Sequence, residues 1–133
     1  MIAKAASRNI YDRLITADIA EAMRGQQDCF DLIIAADLFV YVGDLADVFR
    51  SAAQRLRAGG LFAFSLERHD GEGFVLTSKI RFAHSLTYVR ELSRSHGFSE
   101  LHVREIALRR SGAGEIAGWL VVLQSSPTRD EVP

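Results

Sequence analysis

Three carboxylates in this chain each stand at the end of a short apolar run, and chemistry is to be sought there. Asp18 follows Leu14, Ile15, Thr16 and Ala17; Asp37 follows Leu32, Ile33, Ile34, Ala35 and Ala36; Glu67 follows the run Leu61 to Leu66. A carboxylate at the mouth of a strand can accept hydrogen bonds from a polar ligand or take up a proton. Asp37 stands out, because carboxylates are seldom buried without a purpose. His84, in the stretch Arg81-Phe82-Ala83-His84-Ser85, adds an imidazole that titrates near neutral pH, so Glu67 and His84 are the candidates for a general base. Arg81 and Tyr88 are residue types that recognise an anionic or planar substrate. Each also has a plainer reading: Asp18 and Asp37 as turn caps, His84 as a hydrogen bond at the start of a helix, Arg81 as solvated and Tyr88 as packed. His69, His96 and His102 show no ligand spacing, so no metal is expected.

These residues need a scaffold, and the composition allows one. At 133 residues, 48% of them hydrophobic, the chain is the size of one domain and can bury a real core. Sixteen basic residues against seventeen acidic ones leave no basic surface from which to expect nucleic acid, so the expected partners are small molecules. The single cysteine, Cys29, cannot pair within the chain and is expected to be buried and inert. No apolar run is long enough to cross a bilayer or to resemble a signal peptide, and a reducing, cytoplasmic setting is expected.

The order of elements reads as α/β. Residues Ile2 to Ser7 suit the tail of a helix, Leu14 to Ala17 a short strand, and Ala20 to Arg24 a weak helical turn broken at Gly25. The run beginning at Phe30 has no polar face, which predicts a parallel strand covered on both sides. After Tyr41 the period changes: Leu45, Val48, Phe49, Ala52, Ala53 and Leu56 fall on one helical face, with Asp44 as N-cap and Gly59-Gly60 as the stop. Leu61 to Leu66 is the next strand, and strand, helix and strand with short joints predict a parallel crossover. The segment from His69 to His84 reads as a long functional loop or lid. Ser85 or Thr87 caps a helix containing Leu86, Val89 and Leu92, which Gly97 ends. Leu101 to Arg110, with a bulge near Arg104-Glu105, and Ile116 to Leu123 are expected to pair as an antiparallel hairpin. The domain is expected to span residues 1–124, with 125–133 a frayed tail.

This succession resembles the carboxy-terminal part of class I S-adenosylmethionine-dependent methyltransferases, which have a Rossmann-like sheet. Tyr11 to Ile19 looks like the third strand of that family, Phe30 to Leu45 the fourth strand and its motif, and Leu56 to Glu67 the turn and fifth strand. Gly73 to Phe98 resembles the linker and helix of a subgroup attached to tetratricopeptide repeats, and the last two runs resemble the sixth and seventh strands. The resemblance implies an α/β fold: a partial Rossmann-like sheet, mostly parallel, with a carboxy-terminal antiparallel hairpin and helices on its faces. It also implies S-adenosylmethionine as cofactor and a small molecule or protein side chain as methyl acceptor. Asp18 would accept the adenine amino group with Ile19 beside it. Ala35, Ala36 and Asp37 would line the methionine side, with Leu38 and Tyr41 as walls. Apart from the resemblance, Arg81, His84 and Tyr88 are the candidate substrate-binding residues by their types and placement.

The family's glycine-rich loop and the acidic end of its second strand have no counterpart in these residues, and the missing strands would lie against the run Asp31 to Phe39. A fragment is therefore expected, or a half completed by a complementing amino-terminal half or a second copy, since exposed apolar edges invite pairing. Two other classes compete with methyl transfer: an inactive interaction module using the open sheet edge, and a Rossmann-type oxidoreductase, which the absent phosphate loop does not favour.

Overall fold

The computed structural model describes residues 19–24, 29–111 and 114–126. Their centre is a four-stranded sheet in the order β1, β2, β6, β5, built from β1 (Phe30–Ala35), β2 (Leu56–Glu67), β5 (Phe98–Ser111) and β6 (Gly114–Ser125). A separate antiparallel pair, β3 (Phe74–Leu76) and β4 (Phe82–His84), leans on it, and the helices are α1 (Ile19–Arg24), α2 (Ala46–Arg55) and α3 (Leu86–Ser95). The architecture is the α/β sheet expected, with one parallel pair, β1 with β2, and antiparallel pairs from β2 through β6 to β5.

β1 and β2 run parallel in the register Leu32 with Leu61 to Ala35 with Phe64, and α2 connects them. Helix α2 forms because Val48, Phe49 and Ala52 recur on one face and are buried, while Asp47 and Arg55 sit at the ends where the helix dipole favours their charges. Its N-cap is Leu45, not the expected Asp44, whose carboxylate one residue earlier accepts from the Ala46 backbone N–H at 2.9 Å, and the helix ends at Arg55, so that Leu56 and Gly59-Gly60 already belong to β2. Gly59, at φ +78°, turns the chain into the paired part of β2. In α3 it is Ser85, not Thr87, that caps the helix, accepting from the Tyr88 N–H at 3.0 Å; Thr87 lies inside the first turn.

Both longer helices cover the same sheet face. Phe49 of α2 stands edge-on to Phe62 and Phe64 of β2, with ring centroids 5.4 and 5.6 Å away, and Phe39 and Phe98 complete the aromatic cluster. Leu66, Val89, Val121 and Leu123 fill in around it. Each such side chain contributes about 1.5–3 kcal/mol on burial, so this layer holds the strand ends in place.

The structure departs from the sequence expectations at definite points. The β1 run is not covered on both sides: Leu32 and Ile34 are 50% and 64% exposed, and β1 is an edge strand among the described residues. The segment from His69 to His84 is not a plain loop, since β3 and β4 pair within it. The irregularities in β5 fall at Glu100–His102 and Ala107–Arg109, flanking Arg104-Glu105. Ser125 is buried in β6 and so belongs to the sheet, not to the tail. Cys29 is exposed, because it precedes β1 at the open side of the sheet. The expectations for residues 1–18 and 127–133 lie outside the described residues.

Candidate active site at the carboxyl ends of β1 and β2

β1 stops because of Asp37. Its backbone adopts φ +53°, a left-handed conformation that Asp tolerates better than most residues and that turns the chain out of the sheet. Its N–H donates to the Ser65 hydroxyl of β2 at 2.9 Å, fixing the turn to the next strand. Ala35 is buried, and Ala36 and Asp37 are exposed. The expected buried carboxylate is therefore corrected: Asp37 stands at the rim, because the left-handed turn lifts it off the sheet. Beyond it Phe39 and Val40 plug the core in a short 3-10 turn, which leaves Tyr41 68% exposed.

The hairpin forms the second wall. β2 outlasts β1, and β4 takes up the vacated side: Arg68 bridges to His84, and the His69 N–H donates to the His84 carbonyl at 3.1 Å. His84 is completely buried, with Nε2 at 2.9 Å from both the Val42 and Gly43 carbonyls. Two acceptors facing Nε2 assign it the proton and leave Nδ1 as a lone pair, which is buried with no hydrogen-bond partner. Burial pushes the His84 pKa below 6.5, against the smaller opposing pull of the two carbonyls. The imidazole is thus neutral, and it clasps the loop after β1 to β4.

Around this clasp the packing is aromatic. The His84 ring stacks on Tyr88 at 6.2 Å, and Phe74 tilts against both. Gly43 is required here: a Cβ would meet the Phe82 and Phe74 rings at 2.7 and 2.8 Å. The Tyr88 hydroxyl accepts from the Leu45 N–H at 2.9 Å and donates to Asp44 Oδ1 at 3.3 Å, and burial raises its pKa above 10.0.

Glu67 ends β2 only 7% exposed, and its Oε1 is buried without a hydrogen-bond partner. The neighbouring cation, Arg68, is held elsewhere, by Asp70 at 2.6 Å and by Glu105, over the Trp119 ring.

The structure thus gathers Ala35, Ala36, Asp37 and Tyr41 at one strand end and Glu67 at the next. It places His84 and Tyr88 together beneath the loop between them, packed and hydrogen-bonded to the chain itself. Arg81 is half-buried in the β3–β4 connection, where its carbonyl accepts from the Thr77 N–H at 2.8 Å. Ile19 is half-buried against the core, and Asp18 lies outside the described residues. Sequence reasoning missed Ser65 and Gly43. Ser65 carried a signal, as the one polar residue in the run Leu61 to Leu66. Among the described residues no cluster of His, Cys, Asp and Glu could hold a metal ion. The arrangement offers backbone and small-residue contacts at a strand end, a carboxylate beside them and an apolar rim, which suits holding and orienting an organic ligand.

A family model described as a methyltransferase domain matches residues 1–64. No curated protein matches the sequence. Among solved structures, the chain is similar to the 1,6-didemethyltoxoflavin-N1-methyltransferase of Burkholderia thailandensis, with a TM-score of 0.70 and 16% identity, covering 93% of this chain and 56% of that one. It is similar also to the N-methyltransferase NodS of Bradyrhizobium japonicum, with a TM-score of 0.66 and 18% identity over 94% of this chain and 67% of that one. A third likeness is to a SAM-dependent methyltransferase of Methanosarcina mazei, with a TM-score of 0.60 and 12% identity over 78% and 64% of the two chains. The chain spans between 56% and 67% of the length of these three structures. At such identities the likeness is one of architecture, and the described residues have the fold of part of a methyltransferase domain: a Rossmann-like mixed sheet with helices on one face and an added hairpin.

Proposed function

We propose that this chain is part of an S-adenosylmethionine-dependent methyltransferase, and that the end of β1 holds the methionine side of the donor. The observation that carries the reading is the left-handed Asp37, pinned by its N–H to Ser65 at the carboxyl rim of the sheet with the small Ala35 and Ala36 behind it. Ligands of open α/β sheets bind outside the carboxyl ends of strands, and alanines there let a ligand approach the backbone closely. The residues present therefore fit the methionine end of the donor: the exposed Asp37 carboxylate suits its ammonium group, and the Tyr41 ring stands at the outer wall. By resemblance the adenine side falls to Asp18 and Ile19.

The bound donor supplies an electrophilic methyl group on a sulfonium, transferred by in-line displacement. The chain's task is then alignment and exclusion of water. Asp37 and Ala36 orient one reactant; Glu67, across the rim, is the candidate to orient or deprotonate the other. His84, completely buried and with Nε2–H committed to two carbonyls, positions the Phe39–Gly43 loop and does not act as the base.

A longer chain of the tetratricopeptide-linked subgroup, a complementing half or a second copy completes the cradle in this reading, supported by the single sheet neighbour of β1 among the described residues. The acceptor is a small molecule or a protein side chain, and the setting is cytoplasmic, supported by the lone cysteine; no described helix is long and apolar enough to cross a membrane. Ultraviolet cross-linking with methyl-labelled S-adenosylmethionine, followed by peptide mapping, tests the reading. Label is expected on the peptide containing residues 30–41. Label elsewhere, or none, rejects it.

A further inference from the structure

We propose that Glu67 is the acceptor-binding residue and that the acceptor presents a nitrogen bearing hydrogen, an amine on an apolar or planar body. This rests on the methyl-transfer reading above and adds the chemical class of the second substrate.

The starting point is an oxygen atom with nothing to bond. Glu67 is more than nine-tenths buried, its Oε1 has no donor among the described residues, and the next residue, Arg68, is occupied by Asp70, Glu105 and Trp119. A stranded buried acceptor is costly, so a donor from outside the fold completes it. Alternation along β2 puts Glu67 on the same sheet face as Ser65, opposite Phe64 and Leu66. Ser65 is the residue that pins Asp37, and its hydroxyl proton remains to donate. Phe64 pairs with Ala35, so Glu67 lies about 10 Å further along the strand than the end of β1.

The charge decides the class. An anionic acceptor would face a buried carboxylate with no described cation to balance it, whereas an amine supplies the missing N–H. An apolar rim stands on the loop after β1 and on the β3–β4 hairpin, where Tyr41, Phe74, Leu76 and Ile80 are 68%, 39%, 53% and 79% exposed. Such a rim takes the body of an aromatic or aliphatic amine. In the transfer, the amine bound as its ammonium first loses a proton through Glu67 to water, and the lone pair so freed forms the new C–N bond while the donor's C–S bond breaks with its electron pair going to sulfur. Positive charge grows on nitrogen beside the Glu67 carboxylate, which stabilises it and accepts the released proton before passing it to water.

Benzylamine and its neutral counterpart benzyl alcohol serve as probes, titrated into the full chain and followed by backbone amide NMR shifts, with S-adenosylhomocysteine titrated separately. Benzylamine is expected to bind at least tenfold more tightly than the alcohol, with shifts centred on Ser65 to Arg68, and Glu67→Gln and Glu67→Met are each expected to abolish that preference. Equal binding of the two probes, or a preference that survives both substitutions, overturns the proposal. S-adenosylhomocysteine shifts at Ala35 to Asp37 are expected to persist in both variants. Their absence from the unaltered chain would remove the donor reading while an amine preference at Glu67 still stood.

Discussion

Replacing His84 by Phe tests whether this buried imidazole works as a clasp. The ring volume and the stacking on Tyr88 survive, but the Val42 and Gly43 carbonyls lose the Nε2–H that lies 2.9 Å from each. Losing a hydrogen bond removes about 1 kcal/mol, and stranding a buried acceptor adds about 1–3 kcal/mol. Against this, the sealed Nδ1 disappears, which returns about 1 kcal/mol. The balance is a destabilisation of about 1–3 kcal/mol, a fall of about 1 M in the urea midpoint for a domain with an ordinary denaturant slope. The pH dependence carries a second signature. Burial holds the folded-state pKa below 6.5, so as pH falls through that value the unfolded chain binds a proton that the folded chain refuses. Stability contributed by neutral His84 is thus complete above 6.5 and lost as pH falls toward the depressed pKa. The gap between parent and His84→Phe should be widest above neutrality and narrow toward pH 5. Urea melts of both proteins across that range measure it. An unchanged midpoint, or a gap that stays constant with pH, refutes the clasp.

The hairpin and the start of α2 should respond to smaller changes. Gly43→Ala places a methyl within 3 Å of the Phe74 and Phe82 rings and should cost about 1–3 kcal/mol in thermal or urea unfolding, with faster amide exchange in β3 and β4 than elsewhere. Tyr88→Phe removes the hydroxyl that links Leu45 and Asp44 and should cost about 1 kcal/mol in the urea midpoint, while cross-linking at residues 30–41 stays unchanged because Tyr88 sits behind the loop.

The fold was largely legible because its strongest signals are periodic. Val48, Phe49 and Ala52 announced α2, although it ends at Arg55, ahead of the expected Gly59-Gly60 stop, and the run Leu61 to Leu66 announced the central strand. What escaped depends on contacts distant in sequence. The β3–β4 pair contains only three residues per strand, too few for a period, and its Phe74 and Phe82 rest on Gly43 about thirty to forty residues earlier. The exposure of Leu32 and Ile34 could not be read from their own apolar pattern, since burial depends on what stands beside the strand. The same limit applies to the site. Asp37 and Glu67 were visible as carboxylates ending apolar runs, yet their environments proved opposite: Asp37 is exposed and turned by φ +53°, while Glu67 is buried with an orphaned oxygen. His84 was visible as a titratable group, but its task was set by two carbonyls more than forty residues earlier in the chain.

The central claim is that the β1 rim, Ala35 to Asp37 with Ser65, receives the methyl donor. Residue-resolved amide NMR during titration with S-adenosylhomocysteine tests it directly. The account predicts saturable shifts at Ala36, Asp37 and Ser65, abolished by Ala36→Phe, with none at Ala53, His96 or Ser126 at the opposite end of the sheet. Shifts confined to that opposite end, or none at Asp37 at any concentration reached, would contradict it.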